Sequence, residues 1–128
     1  MSSYVNVKTR INHTEKRPWG SFENLLDEEY CKVKRLIVKP GHKLSYQFHH
    51  KRNEVWVVVK GIATVTLDDR VVDIKETEIV NIPVSTKHRV ENKTNEDLIF
   101  IETQTGTYFG EDDIVRIEDD YGRDINEN

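Results

Sequence analysis

From Arg17-Pro18-Trp19-Gly20 onward, the chain shows short β-branched runs separated by turn signals, and no stripe with helical spacing extends over 10 residues or more. The runs are Lys32 to Lys39, Lys43 to His49, Glu54 to Val59, Ala63 to Leu67, Val71 to Ile74, Ile79 to Ile82, and Leu98 to Thr103. Turn residues punctuate them: Pro40-Gly41, Lys60-Gly61, and Asp68-Asp69, which fits a tight hairpin before Val71. In Thr64-Val65-Thr66-Leu67 polar and apolar residues alternate, the mark of a strand with one buried face. Val55 to Val59 is apolar on both faces, which predicts a central strand covered on each side. Glu111 to Asp120 is expected to close the chain as a short helix or an irregular segment.

The pattern predicts an all-β domain and leaves a sandwich, an open barrel and a jelly roll open. Residues 1–16 are polar without a clear period and are expected to form an N-terminal arm. The patterned domain spans 17–123 from Arg17-Pro18-Trp19-Gly20 onward, and 124–128 is a tail.

Composition narrows the partners. A chain of 128 residues suits one domain, and its net charge of −4 argues against nucleic acid, which needs a concentrated basic face. Cys31 is the single cysteine, so no intrachain disulfide forms. The first 16 residues lack an apolar leader and no stretch approaches membrane-spanning length, so the expectation is a cytoplasmic protein without a membrane partner. The arm and the strand edges make a homodimer the expected assembly.

The chemistry concentrates in Gln47-Phe48-His49-His50-Lys51-Arg52-Asn53-Glu54. On a strand, Gln47 and His49 share a face; a turn over 50–53 then returns Glu54 on an adjacent strand. Ile82 to Lys87 delivers His88 from a loop. Two imidazoles, a carboxylate and an amide oxygen suit one divalent ion such as Zn, Mn, Fe, Co or Ni. Glu54 precedes a fully apolar run, where a buried carboxylate needs a partner, and a cation supplies one. His13, His42 and His50 carry no such support and are read as ordinary strand or surface residues.

The spacing resembles the cupin superfamily. Gly41, Gln47, His49, Glu54 and Gly61 follow its first motif, with Gln in place of the usual first His; Thr77, Pro83, Ser85, His88 and Asn92 follow the second, with Thr77 and Ser85 at two glycine positions. The resemblance implies a double-stranded β-helix, a jelly-roll barrel. Further stretches are similar to the type II phosphomannose isomerase domain: Arg17 to Gly20, Lys32 to Arg35, Leu44-Ser45, Trp56, and the ending Gln104 to Arg116 closed by Asp119 to Arg123. That likeness implies a metal-dependent aldose–ketose isomerase interconverting mannose 6-phosphate and fructose 6-phosphate, its partner a small sugar phosphate. Within it, Glu102 on an inward strand position is the expected base, Glu111 its rival, and Arg35, Lys43, Arg116 and Arg123 the cations for the phosphate. Arg123 also counts among the catalytic group. A non-catalytic sugar or sugar-nucleotide binding cupin and an Fe(II) oxygenase are the alternatives.

Overall fold

The computed structural model describes residues 13–119, and within them eleven antiparallel strands form two facing sheets with no helix. They are β1 (His13–Arg17), β2 (Gly20–Asp27), β3 (Cys31–Val38), β4 (Tyr46–Phe48), β5 (Arg52–Lys60), β6 (Ala63–Leu67), β7 (Arg70–Ile74), β8 (Ile79–Ile82), β9 (His88–Glu91), β10 (Leu98–Gly106) and β11 (Val115–Glu118). The larger sheet runs β1-β2-β3-β10-β5-β8, and the smaller runs β11-β4-β9-β6-β7. This is the jelly-roll barrel that the cupin-like spacing implied.

The interior is stratified, and the register explains why. Leu36, Phe100 and Val58 stand side by side on β3, β10 and β5; one step along come Lys34, Glu102 and Trp56, and then Lys32, Gln104 and Glu54. All nine are buried. Each strand keeps the two-residue alternation of a sheet with one face inward, but its inward face changes from apolar to charged along its length. Trp19, Phe22, Val38, Val65, Val90 and Leu98 pack in the same core cluster, and Ile82 stands beside Glu54 on β8. The polar groups therefore share one end of the barrel, braced by a dry core at the other.

Local chemistry sets the turns. Asp68 and Asp69 both take positive φ (46° and 71°), as a two-residue hairpin between β6 and β7 requires. Gly20 starts β2 at φ 153°, where a Cβ would stand 1.9 Å from the carbonyl oxygen of Ile37, so only glycine fits.

Three expectations change. Glu111 to Glu118 holds no helix: after a turn, Val115–Glu118 pairs with β4 as a strand, because Val115 and Arg116 meet Phe48 and Gln47 in register. Lys43 to His49 contributes only the short β4 plus an isolated bridge from Lys43 to Glu91. β5 is covered by the core on one side alone, and Val59 is exposed. Of the expected arm, residues 1–12 lie outside the described residues, while 13–16 pair with β2 in β1. The expected tail, 124–128, also lies outside them.

Candidate metal centre

The turn that follows β4 does not fold back within one sheet, as a simple hairpin would. Residues 49–51 cross from the smaller sheet to the larger, so Gln47 and Glu54 face each other across the interior. Gln47 sits beside His88 in the pairing of β4 with β9. His49, Glu54 and His88 are all buried, and their ligand atoms lie within 4.8 Å of one another. The Glu54 carboxylate spans the two rings, with Oε2 3.1 Å from His49 Nε2 and Oε1 3.8 Å from His88 Nε2. Two atoms bound at about 2.1 Å to one ion stand roughly 3–4 Å apart, so the set has the right span for a single cation.

Ring orientation supports the same conclusion. His49 Nδ1 faces the Asp113 carbonyl, and His88 Nδ1 lies 2.8 Å from the Thr86 carbonyl. A carbonyl only accepts, so each Nδ1 carries a proton and each Nε2 is the atom turned into the space shared with Glu54, the arrangement found where imidazoles hold metals. Trp56 Nε1 donates to Glu54 Oε1 at 2.9 Å and fixes the carboxylate. The Gln47 amide nitrogen donates to Ser45 Oγ at 2.9 Å, and its side chain lines the same cavity. The donor set of two neutral imidazoles and a carboxylate, with an amide beside it, fits a borderline divalent ion.

Charges around this centre are tuned by burial and by each other. Burial alone would raise the Glu54 carboxyl, but its contacts with His49, His88 and the Arg52 guanidinium outweigh it and hold the group well below the usual range. Burial lowers His88 despite the attraction of Glu54. Glu102 is pushed up to about 7, first by burial and then by the Glu54 charge, against the opposing pull of Lys34, Arg52 and the Gln104 amide. Glu111 is lowered: burial works to raise it, and the Lys34 ammonium outweighs that.

The structure brings Gln47, His49, Glu54, His88, Glu102, Glu111 and Arg116 to one cavity. It does not bring Arg35 or Lys43 there. Arg35 lies on the outer face of β3, exposed and ion-paired with Glu23, because its neighbours Lys34 and Leu36 take the inward positions. Lys43 is held on the loop before β4 by its bridge to Glu91. Arg123 lies outside the described residues. Two cations that residue-by-residue reading passed over occupy the interior instead. Lys34 is buried, bonded to Glu111 and 4.3 Å from the Phe22 ring centre; Arg52 is buried beside Glu54. Inward alternation on β3 and β5 was the signal, since Lys34 shares the face of Leu36 and Arg52 that of Glu54.

With this geometry in view, known proteins settle the kinship. The family model described as mannose-6-phosphate isomerase C-terminal matches residues 6–119. The chain belongs to that family.

The alginate biosynthesis protein AlgA of Pseudomonas aeruginosa is 47% identical over 113 residues, 88% of this chain and 24% of AlgA. A mannose-1-phosphate guanylyltransferase of Salmonella montevideo is 44% identical over 119 residues, 92% of this chain and 25% of that protein. The chain thus spans about a quarter of the length of the curated relatives it matches. Among solved structures, the capsular polysaccharide assembling protein CapF of Staphylococcus aureus is similar with a TM-score of 0.73 and 25% identity over 84% of this chain and 34% of that one. The oxalate decarboxylase of Bacillus subtilis shares the fold, with a TM-score of 0.72 and 19% identity over 85% of this chain and 31% of the other.

These relatives correct the functional expectation. The relatives are named for xanthan or alginate biosynthesis and for mannose-1-phosphate guanylyl transfer, and the matched segment is a minor part of each. Interconversion of mannose 6-phosphate and fructose 6-phosphate by the domain alone is therefore withdrawn, and so is the oxygenase alternative. What stands is a cupin-fold domain of the family described as mannose-6-phosphate isomerase C-terminal. No helix among the described residues is long and apolar enough to cross a membrane.

Proposed function

We propose that this domain holds one divalent cation through His49, Glu54 and His88, with Gln47 beside them, and receives a phosphorylated sugar in the barrel mouth. The observation that carries the reading is the buried Glu54 carboxylate standing between the Nε2 atoms of His49 and His88, with both rings held at Nδ1 by carbonyls. A divalent ion bound there would supply a Lewis acid for a sugar oxygen. The chain's own residues do the rest. Lys34, Arg89 and Arg116 line the cavity with positive charge suited to a phosphate, and the apolar layer beneath keeps bulk water from the opposite end. Glu102, titrating at about 7, can hold or release a proton near neutral pH beside the bound sugar. Glu111, half-exposed at the mouth and bonded to Lys34, orients that ammonium. The likeness to a mannose-1-phosphate guanylyltransferase points to mannose 1-phosphate as the probe.

The proposal extends to assembly and place. A homodimer would use the outer face of the larger sheet, where Val57 and Ile101 are paired in register, and sedimentation at the mass of two chains would agree. The compartment that fits this reading is the cytoplasm.

The test is calorimetric titration of the metal-loaded chain with mannose 1-phosphate and with mannose. Binding of the phosphorylated sugar, weakened at least tenfold by Arg116→Ala with metal content unchanged, is expected. Equal affinity for mannose and its phosphate would sink the phosphate-binding reading.

A further inference from the structure

Arg52 is only 6% exposed, and it opens β5 two positions before Glu54, on the same inward face. Its guanidinium forks onto the metal centre. Nε donates to Glu54 Oε2 at 2.9 Å, and Nη2 lies 3.1 Å from His49 Nε2. Because the His49 Nδ1 proton is committed to the Asp113 carbonyl, Nε2 accepts from Arg52 through its lone pair. The fork therefore engages one oxygen and one nitrogen that a metal ion would need.

We propose that Arg52 is a built-in competitor for the cation, setting how tightly the centre binds metal. The inference rests on the metal reading above. A guanidinium and a divalent ion cannot share the same lone pairs, since like charges at contact distance repel strongly in a buried site. Metal entry must turn Arg52 away from Glu54. The cavity already offers it other acids: Glu102 and Glu111 both act electrostatically on Arg52 from positions lining the same space. In its present place the guanidinium is imperfectly satisfied, because Nη1 is buried without a hydrogen-bond partner. What it gives in return is charge balance, for a carboxylate only 2% exposed needs a cation next to it. Arg52 thus lets the barrel fold without metal, and it weakens metal binding by the same contacts.

The experiment titrates the full chain, Arg52→Met and Arg52→Lys with Co(II), read by visible absorption, and unfolds each in urea with chelator present. Arg52→Met removes charge and donors at similar length. It is expected to bind Co(II) at least tenfold more tightly than the parent while unfolding at lower urea without metal. Arg52→Lys keeps the charge but loses the fork, and is expected to bind several-fold more tightly; it carries the test alone if Arg52→Met does not fold. Equal or weaker Co(II) binding by the folded variants, with the parent still binding, overturns the competition and leaves the metal centre standing. No Co(II) binding by any of the three proteins overturns both.

Discussion

Single side chains carry the chemistry of this domain, and the legibility of each depended on whether spacing or surroundings defined it. Gln47, His49, Glu54 and His88 were readable because their separations follow from strand alternation and a motif, and the structure gathers them in one cavity. Lys34 and Arg52 were not singled out. Nothing in a lysine or arginine by itself says that it points inward, and only the register of β3 and β5 against β10 places both in the charged layers. Glu102 lies between these cases, since its inward position was expected but its proton affinity is set first by burial and then by the Glu54 charge. The folded domain holds that proton above the range where an unfolded glutamate loses it, so Glu102 stabilises the metal-free fold below about pH 4.5, and the contribution fades as pH rises through about 7. His88, shifted down, contributes with the opposite sign, so the comparison must be between variants. Urea unfolding of the chelated chain and of Glu102→Gln is expected to show the parent's relative stability falling by up to about 3 kcal/mol between pH 4.5 and 7.5. A pH-independent difference would remove Glu102 from its protonated state.

Elements were legible where a period or a turn spelled them out. β6, β7 and β8 matched expectation closely, since β-branched alternation and the Asp68-Asp69 hairpin left little choice. β1, β2, β9 and β11 were missed because each is mixed in polarity, and each is stabilised by a neighbouring strand rather than by its own pattern. The most informative departures were Thr77 and Ser85, residues standing where the family motif has glycine. Both take positive φ, 72° and 66°, at the third position of four-residue turns closed by Glu78 N to Lys75 O and Thr86 N to Pro83 O. The turns keep the conformation that glycine would adopt freely, and a β-branched threonine is poorly suited to it. Left-handed geometry costs a non-glycine residue about 1–2 kcal/mol, and glycine returns about 0.5–1 through its freer unfolded chain. Thr77→Gly is therefore expected to stabilise the domain by about 0.5–1 kcal/mol in urea, with metal content unaltered. A destabilised variant would mean that the threonine side chain matters more to this turn than its backbone angle.

At the scale of the molecule, the barrel joins two unlike halves. The apolar layer of Leu36, Phe100 and Val58 holds the strands, and the layers above it spend that rigidity on keeping charged groups dry and aimed at one point. All-β class and barrel type were legible because patterning and motif spacing agreed. Activity was not, because a cupin interior specifies a ligand set more tightly than a reaction, and relatives embed this segment in chains about four times its length. The centre formed by His49, Glu54 and His88 is what the whole account requires. Its direct test is metal content by elemental mass spectrometry, after the full chain and Glu54→Gln are loaded with Mn(II), Co(II) or Zn(II) and dialysed. The expected result is about one ion per parent chain and almost none in a variant that keeps its β-sheet circular dichroism. Equal metal in both proteins, or none in the parent, would contradict it.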